Sequence, residues 1–158
     1  MQERYNAGKL SAGAYRAMVA LETYVHQSGL EEKLILLVKL RASQINGCAY
    51  CIDMHWKDAR ALGETEQRLY GLDAWGEASY YTDRERAALE WTEAVTLINH
   101  GHAPDEVYER VKRQFTEKEL SDLTVAIAAI NSWNRVAISS RAPAGSYQPA
   151  AHPVARTA

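Results

Sequence analysis

The chain has 158 residues, 47% apolar and 24% charged, with a formal net charge of −2. One domain of that length buries a core without disulfide staples, and so balanced a charge offers no basic face to nucleic acid or acidic lipid. No stretch approaches the roughly 18 apolar residues of a membrane span, and the polar start from Met1 to Lys9 leads into no signal-peptide core. The expected setting is therefore the cytoplasm, with no membrane partner.

In chain order the pattern is helical. Tyr15, Met18, Val19, Glu22 and Val25 keep a helical spacing, with Gly29 placed to stop that helix. A second helix is expected from about Glu31 to Ser43, apolar on most sides and so buried. Ile45-Asn46-Gly47 breaks it, and a third helix is expected from near Cys48 to Leu62, with Gly63 as its stop. Thr82 to Glu85 reads as a capping box opening a helix through Leu89, Val95 and Ile98. Pro104 suits a first helical position for a segment to Gln114. Thr116 to Glu119 is a second capping box, opening a long helix through Leu123, Ile130 and Ile138. Nothing alternates strictly, so the expected fold class is all-α. One helical domain is expected over 1–141 and an irregular tail over 142–158, its last half disordered.

Only two cysteines are present, three apart. A bridge between them closes almost no loop and adds little stability, and in a reducing compartment a disulfide is more often catalytic than structural. Cys48 and Cys51 stand where a helix is expected to begin. Unpaired N–H groups and the helix dipole there favour a thiolate. His55, four residues after Cys51, shares its helix face, so the imidazole is placed to take the thiol proton and return it. A thiolate, a base and a second thiol are the parts of a two-electron cycle: one sulfur attacks, the other resolves. On this reading Cys51 is the more acidic and reactive thiol. A structural zinc site is the competing reading, but zinc wants four ligands, and His55 plus a distant histidine would have to complete a single pair.

The remaining chemistry-bearing residues read as structural. His100 and His102 fall in a polar loop, His26 near a helix end, and Glu31 and Glu32 in a first turn. Trp56, Trp75, Trp91 and Trp133 read as core or subunit contacts. Asn131 and Asn134 stand on a largely apolar helix and need partners. Helix-end capping is the favoured role for them, and facing the thiols is the other.

The run from Arg41 to His55, Arg-Ala-Ser-Gln-Ile-Asn-Gly-Cys-Ala-Tyr-Cys-Ile-Asp-Met-His, resembles the core motif of alkylhydroperoxidase D-like (AhpD-like) proteins of the carboxymuconolactone decarboxylase superfamily. The likeness continues from Ala126 to Arg135 and from Gly145 to Pro149. The resemblance implies an all-α bundle that assembles as homotrimers or homohexamers. It implies a peroxidase cycle on small hydroperoxides, with Cys51 attacking, Cys48 resolving and His55 relaying protons. It further implies that no metal, flavin or haem takes part and that a lipoyl-bearing or thioredoxin-like protein is the expected reductant. The family relay often adds a glutamate twelve residues before the first cysteine; here Leu36 stands there, with Glu32 one turn earlier. Tyr50 replaces the histidine that the prototype has between its cysteines. The alternatives are a general thiol-disulfide oxidoreductase and a non-catalytic, redox-sensing helical assembly. The decarboxylase branch does not rely on a cysteine pair.

Overall fold

The computed structural model describes residues 2–149. Eight α-helices follow in order: α1 (Ala7–Leu10), α2 (Ala12–Gln27), α3 (Glu32–Asn46), α4 (Ala49–Ala61), α5 (Glu66–Tyr70), α6 (Asp83–Thr96), α7 (Asp105–Val111) and α8 (Glu117–Ser140). Short 3-10 turns at Leu72–Ala74 and Ile98–His100 link them. The described residues contain no strand, as the lack of alternation implied. None of their helices is long and apolar enough to cross a membrane.

Helix α3 is the axis of the bundle and packs against α4, α6 and α8. Its run from Leu34 to Leu40 is buried throughout; a helix apolar on every side can only be satisfied by neighbours on every side. One core layer joins Val25, Leu34, Ile35 and Val38 to Trp91, Phe115, Leu123 and Ile127. A second joins Leu36, Leu37 and Leu40 to Ala59, Leu69, Leu72 and Leu89. The third and smallest consists of Ala42, Cys48, Cys51 and Ile130.

Local chemistry sets the helix ends. Thr82 and Thr116 each form a full capping box with Glu85 and Glu119, and each satisfies two otherwise orphaned donors. Glu119 is held down at about 2, first by the Thr116 backbone and hydroxyl and then by Arg84. Gly47 ends α3 in the left-handed region at φ 69°, with Gly47 N–H donating to Gln44 O and Ser43 O, and Cys48 N–H donating to Ser43 O at 3.0 Å. A residue with a Cβ is strained there, and the turn delivers Cys48 to the start of α4.

Several boundaries differ from the pattern reading. Helix α3 continues through Ile45 and Asn46, where a break was expected after Ser43, because the left-handed turn comes only at Gly47. Helix α6 ends at Thr96, short of Ile98, which lies in a 3-10 turn. Pro104 is the N-cap of α7 and not its first residue, and α7 ends at Val111. Helices α1 and α5 are too short to leave a periodic signal. After α8, residues 142–149 run without helix along α4. The expectation of disorder concerned the last half of the 142–158 tail, and residues 150–158 of it lie outside the described residues.

Candidate active site

Cys48 is the N-cap residue of α4 and Cys51 lies in its first turn. Both are free thiols and buried. The i, i+3 spacing brings the sulfurs together, and the Cys51 thiol donates to the Cys48 sulfur. That hydrogen bond lowers the Cys48 thiol to about 7 against the opposing effect of burial. The N–H groups of Cys51 and Tyr50 and the Asn134 amide favour the thiolate further. The Cys51 thiol is pushed up, first by its bond to Cys48 and then by burial. The pair shares one proton and gives up the first from Cys48. This direction runs against the expectation that Cys51 is the more acidic. The physical reason is position: Cys48 occupies the cap, where the free N–H groups converge, while Cys51 already belongs to the helix.

Access runs the other way. A cavity of about 410 Å³ opens beside α4, and Cys51 and His55 line it while Cys48 does not. Its apolar wall includes Val19, Leu36, Met54, Leu62, Ile130 and Trp133. Cys51 is thus the sulfur a small molecule can reach, and Cys48 stands behind it.

His55 is buried at 6% exposure, and neither ring nitrogen has a hydrogen-bond partner. The imidazole therefore makes no hydrogen bond to the Cys51 thiol, although the two share a helix face. Burial, with smaller pushes from Lys39 and His26, depresses the imidazole to about 3, so the ring is neutral at neutral pH. A neutral imidazole carries one donor and one acceptor, and both are free for a molecule in the cavity. Leu36 is buried in the wall and supplies no carboxylate.

Sequence reasoning missed the polar face of this cavity. Lys39 on α3 is 2% exposed. Its Nζ donates to Glu22 Oε2 of α2 and to His26 Nε2 at 3.1 Å. His26 Nδ1 in turn meets Glu32 Oε2 at 2.9 Å. All four residues line the cavity, and Glu22 Oε1 is buried without a partner. Glu32 thus belongs to this cluster, having been read as a first-turn acid, and His26 is no mere helix-end residue. The available signal was Lys39 itself, the one charge inside Leu-Ile-Leu-Leu-Val-Lys-Leu.

Asn134 resolves toward the thiols. It is fully buried, its Nδ2 donates to Ser43 Oγ at 3.0 Å, and its Oδ1 accepts from Asn46 Nδ2 at 2.9 Å. Its amide also favours the ionised form of both cysteines. Asn131 joins the same network through Asn46 Nδ2 and Thr96 Oγ1. His100 and His102 lie exposed in the loop, away from the cavity. Among the described residues no cluster of His, Cys, Asp or Glu could hold a metal ion.

The segment after α8 closes one side. The Tyr147 hydroxyl donates to Asp58 Oδ1 at 2.7 Å, and Gly145 N–H donates to Asp53 Oδ2 at 3.1 Å. Lys57 Nζ donates to Tyr147 O at 3.0 Å. Tyr147 and Asp58 both line the cavity.

Residues 12–94 match the carboxymuconolactone decarboxylase family. The chain is 45% identical to the uncharacterised protein YdfG of Bacillus subtilis over 88% of this chain and 95% of that one. A crystal structure from Agrobacterium tumefaciens, of a protein of unknown function provisionally named as the antioxidant defence protein AhpD, superposes with a TM-score of 0.89. It is 46% identical and covers 92% of this chain and all of that one. A peroxidase-related protein from Ralstonia eutropha, described as an alkylhydroperoxidase AhpD core, shares the fold at a TM-score of 0.76. It is 19% identical over 85% of this chain and 72% of that one.

Proposed function

Since the chain belongs to the carboxymuconolactone decarboxylase family, as an AhpD-like member, we propose that it is a thiol-dependent peroxidase that reduces organic hydroperoxides. The observation that carries this reading is the division of labour between the two sulfurs. One is acidic and withdrawn, and the other is accessible and bonded to it. As Cys51 attacks, its proton passes to the Cys48 sulfur. The S–O bond forms, the O–O bond breaks, and the departing alkoxide takes a proton from outside the cysteine pair and leaves as the alcohol. The Cys48 thiol then displaces water from the Cys51 sulfenic acid and closes the disulfide. His55 offers a hydrogen bond to the peroxide oxygens. The Agrobacterium relative's provisional link to antioxidant defence supports the same reading.

The cycle needs a dithiol to reopen the disulfide, for which a lipoyl-bearing or thioredoxin-like protein is the proposed partner. Self-assembly is proposed as well. Tyr15, Val19, Leu21 and Tyr24 on α2 and Ile138 on α8 are exposed apolar side chains available as contact area, and light scattering reads the result. The function is tested by turnover of several hydroperoxides with a dithiol reductant, with Cys51→Ser as control. Hydroperoxide consumption that disappears in Cys51→Ser supports the proposal. Disulfide exchange without peroxide turnover points instead to a general thiol-disulfide oxidoreductase.

A further inference from the structure

The cavity has two polar walls, and the cycle above uses only one of them. The same cavity that Cys51 and His55 line also holds the chain Glu32–His26–Lys39–Glu22. It begins at half-exposed side chains, Glu32 at 45% and His26 at 39%, and ends at the buried Lys39 ammonium and the unpartnered Glu22 Oε1. Burying a lysine is costly, and a structural ion pair recovers that cost only with good geometry and satisfied partners. Here one carboxylate oxygen has been left unsatisfied inside a cavity, as have both nitrogens of the facing imidazole. Groups arranged so are short of a polar guest.

Resting on the peroxidase reading, we infer that Lys39 is a further catalytic residue, the acid that protonates the departing oxygen of the hydroperoxide, with Glu22 and His26 as its positioning residues. An ammonium has three N–H donors. Glu22 and His26 take two, and the third serves the guest. Since His26 Nε2 accepts from Lys39, the ring carries its proton on Nδ1, toward Glu32.

Before reaction Cys48 is a thiolate, Cys51 a thiol and Lys39 an ammonium. The Cys51 sulfur attacks the distal oxygen and its proton moves to Cys48. The O–O bond breaks, and the leaving alkoxide takes a proton from Lys39. The products are the Cys51 sulfenic acid, the alcohol, a Cys48 thiol and a neutral Lys39 amine. A proton from solvent then returns to the neutral Lys39 amine and restores the ammonium. The Cys48 thiol and the sulfenic acid then give disulfide and water. The push that Lys39 exerts on His55 shows that its charge is felt at the α4 wall. In this arrangement the acid comes from α3 and α2, which explains why Leu36 can stand where the family often has a carboxylate.

The test compares two leaving groups at the same sulfur. An alkoxide is a strong base and needs a proton; iodide, which leaves when iodoacetamide alkylates a thiol, does not. Lys39→Met removes the acid but strands the Glu22 carboxylate, so the paired variant Glu22→Gln/Lys39→Met is made beside it, with melting temperature recorded for both. Cumene hydroperoxide is the oxidant, and loss of free thiol in a single turnover is the readout. The expected result is a fall of about a hundredfold or more in oxidation rate in the paired variant, with Cys51 alkylation within about threefold of the unaltered protein. Equal losses in both reactions would make Lys39 structural, and an unchanged oxidation rate would remove it from the chemistry. If the unaltered protein does not react with cumene hydroperoxide although its thiols alkylate, the peroxidase reading fails and this proposal fails with it.

Discussion

The Cys51 thiol donates to the Cys48 sulfur, so the residue that reaches the cavity is not the one that ionises first. Acidity and access are separated by one turn of helix. The cap position collects the free N–H groups, whereas the next turn faces the opening.

That separation predicts the behaviour of the single-cysteine variants. In Cys51→Ala the Cys48 sulfur loses the neighbour that does most to stabilise its thiolate, and its titration should move up from about 7 toward an ordinary thiol value. Thiolate absorbance against pH reads this directly. A midpoint that stays in place would assign the acidity to the helix start alone.

His55 makes stability fall with acid. Its folded value of about 3 lies below its ordinary 6.5, so between those values the unfolded chain binds the extra proton. The contribution is complete above about 6.5 and is lost as pH falls through that window. Each unit of difference is worth about 1.4 kcal/mol. Urea midpoints at neutral pH and at about pH 5 should drop less in His55→Gln than in the parent. Parallel losses would contradict the burial of a neutral imidazole.

Asn134 holds the floor beneath both sulfurs. In Asn134→Leu the amide is gone and its buried partners Ser43 and Asn46 lose bonds, at a cost of about 1–3 kcal/mol. The thiols should also oxidise more slowly than in the parent at equal thiolate fraction. A drop in melting temperature with unchanged thiol oxidation would limit Asn134 to packing.

The segment after α8 should control access. Tyr147→Phe removes the bond to Asp58, a loss of about 0.5–1.5 kcal/mol, and frees one edge of the cavity. Cys51 alkylation should quicken while the melting temperature falls slightly. An alkylation rate that does not change would mean that this edge is not the path to the sulfur.

The frame of this molecule was legible because its signals are local. The capping boxes at Thr82 and Thr116 and the stops at Gly29, Gly47 and Gly63 each act within one turn, and the structure places helix ends at all of them. The run from Leu34 to Leu40 announced its own burial. The cysteine pair and His55 were equally local, at i, i+3 and i, i+4. What stayed hidden was made by packing. Glu22 and Lys39 are seventeen residues apart, and Asn46 and Asn134 eighty-eight; no periodicity connects them until α2 and α8 lie against α3. The direction of the shifts at the two cysteines was hidden for a different reason. The shared helix face of Cys51 and His55 was given more weight than the cap held by Cys48.

In the proposed cycle a hydroperoxide entering the cavity oxidises Cys51, and Cys48 then closes the bridge. The most direct measurement is the intact mass of the reduced protein after one equivalent of cumene hydroperoxide, with the peroxide product followed in parallel. The expected result is loss of two hydrogens per chain, no covalent dimer, one equivalent of alcohol, and a trapped sulfenic acid on Cys51 when Cys48 is replaced by Ser. Persistent free thiols with intact hydroperoxide, or a sulfenic acid on Cys48 when Cys51 is the residue replaced, would contradict it.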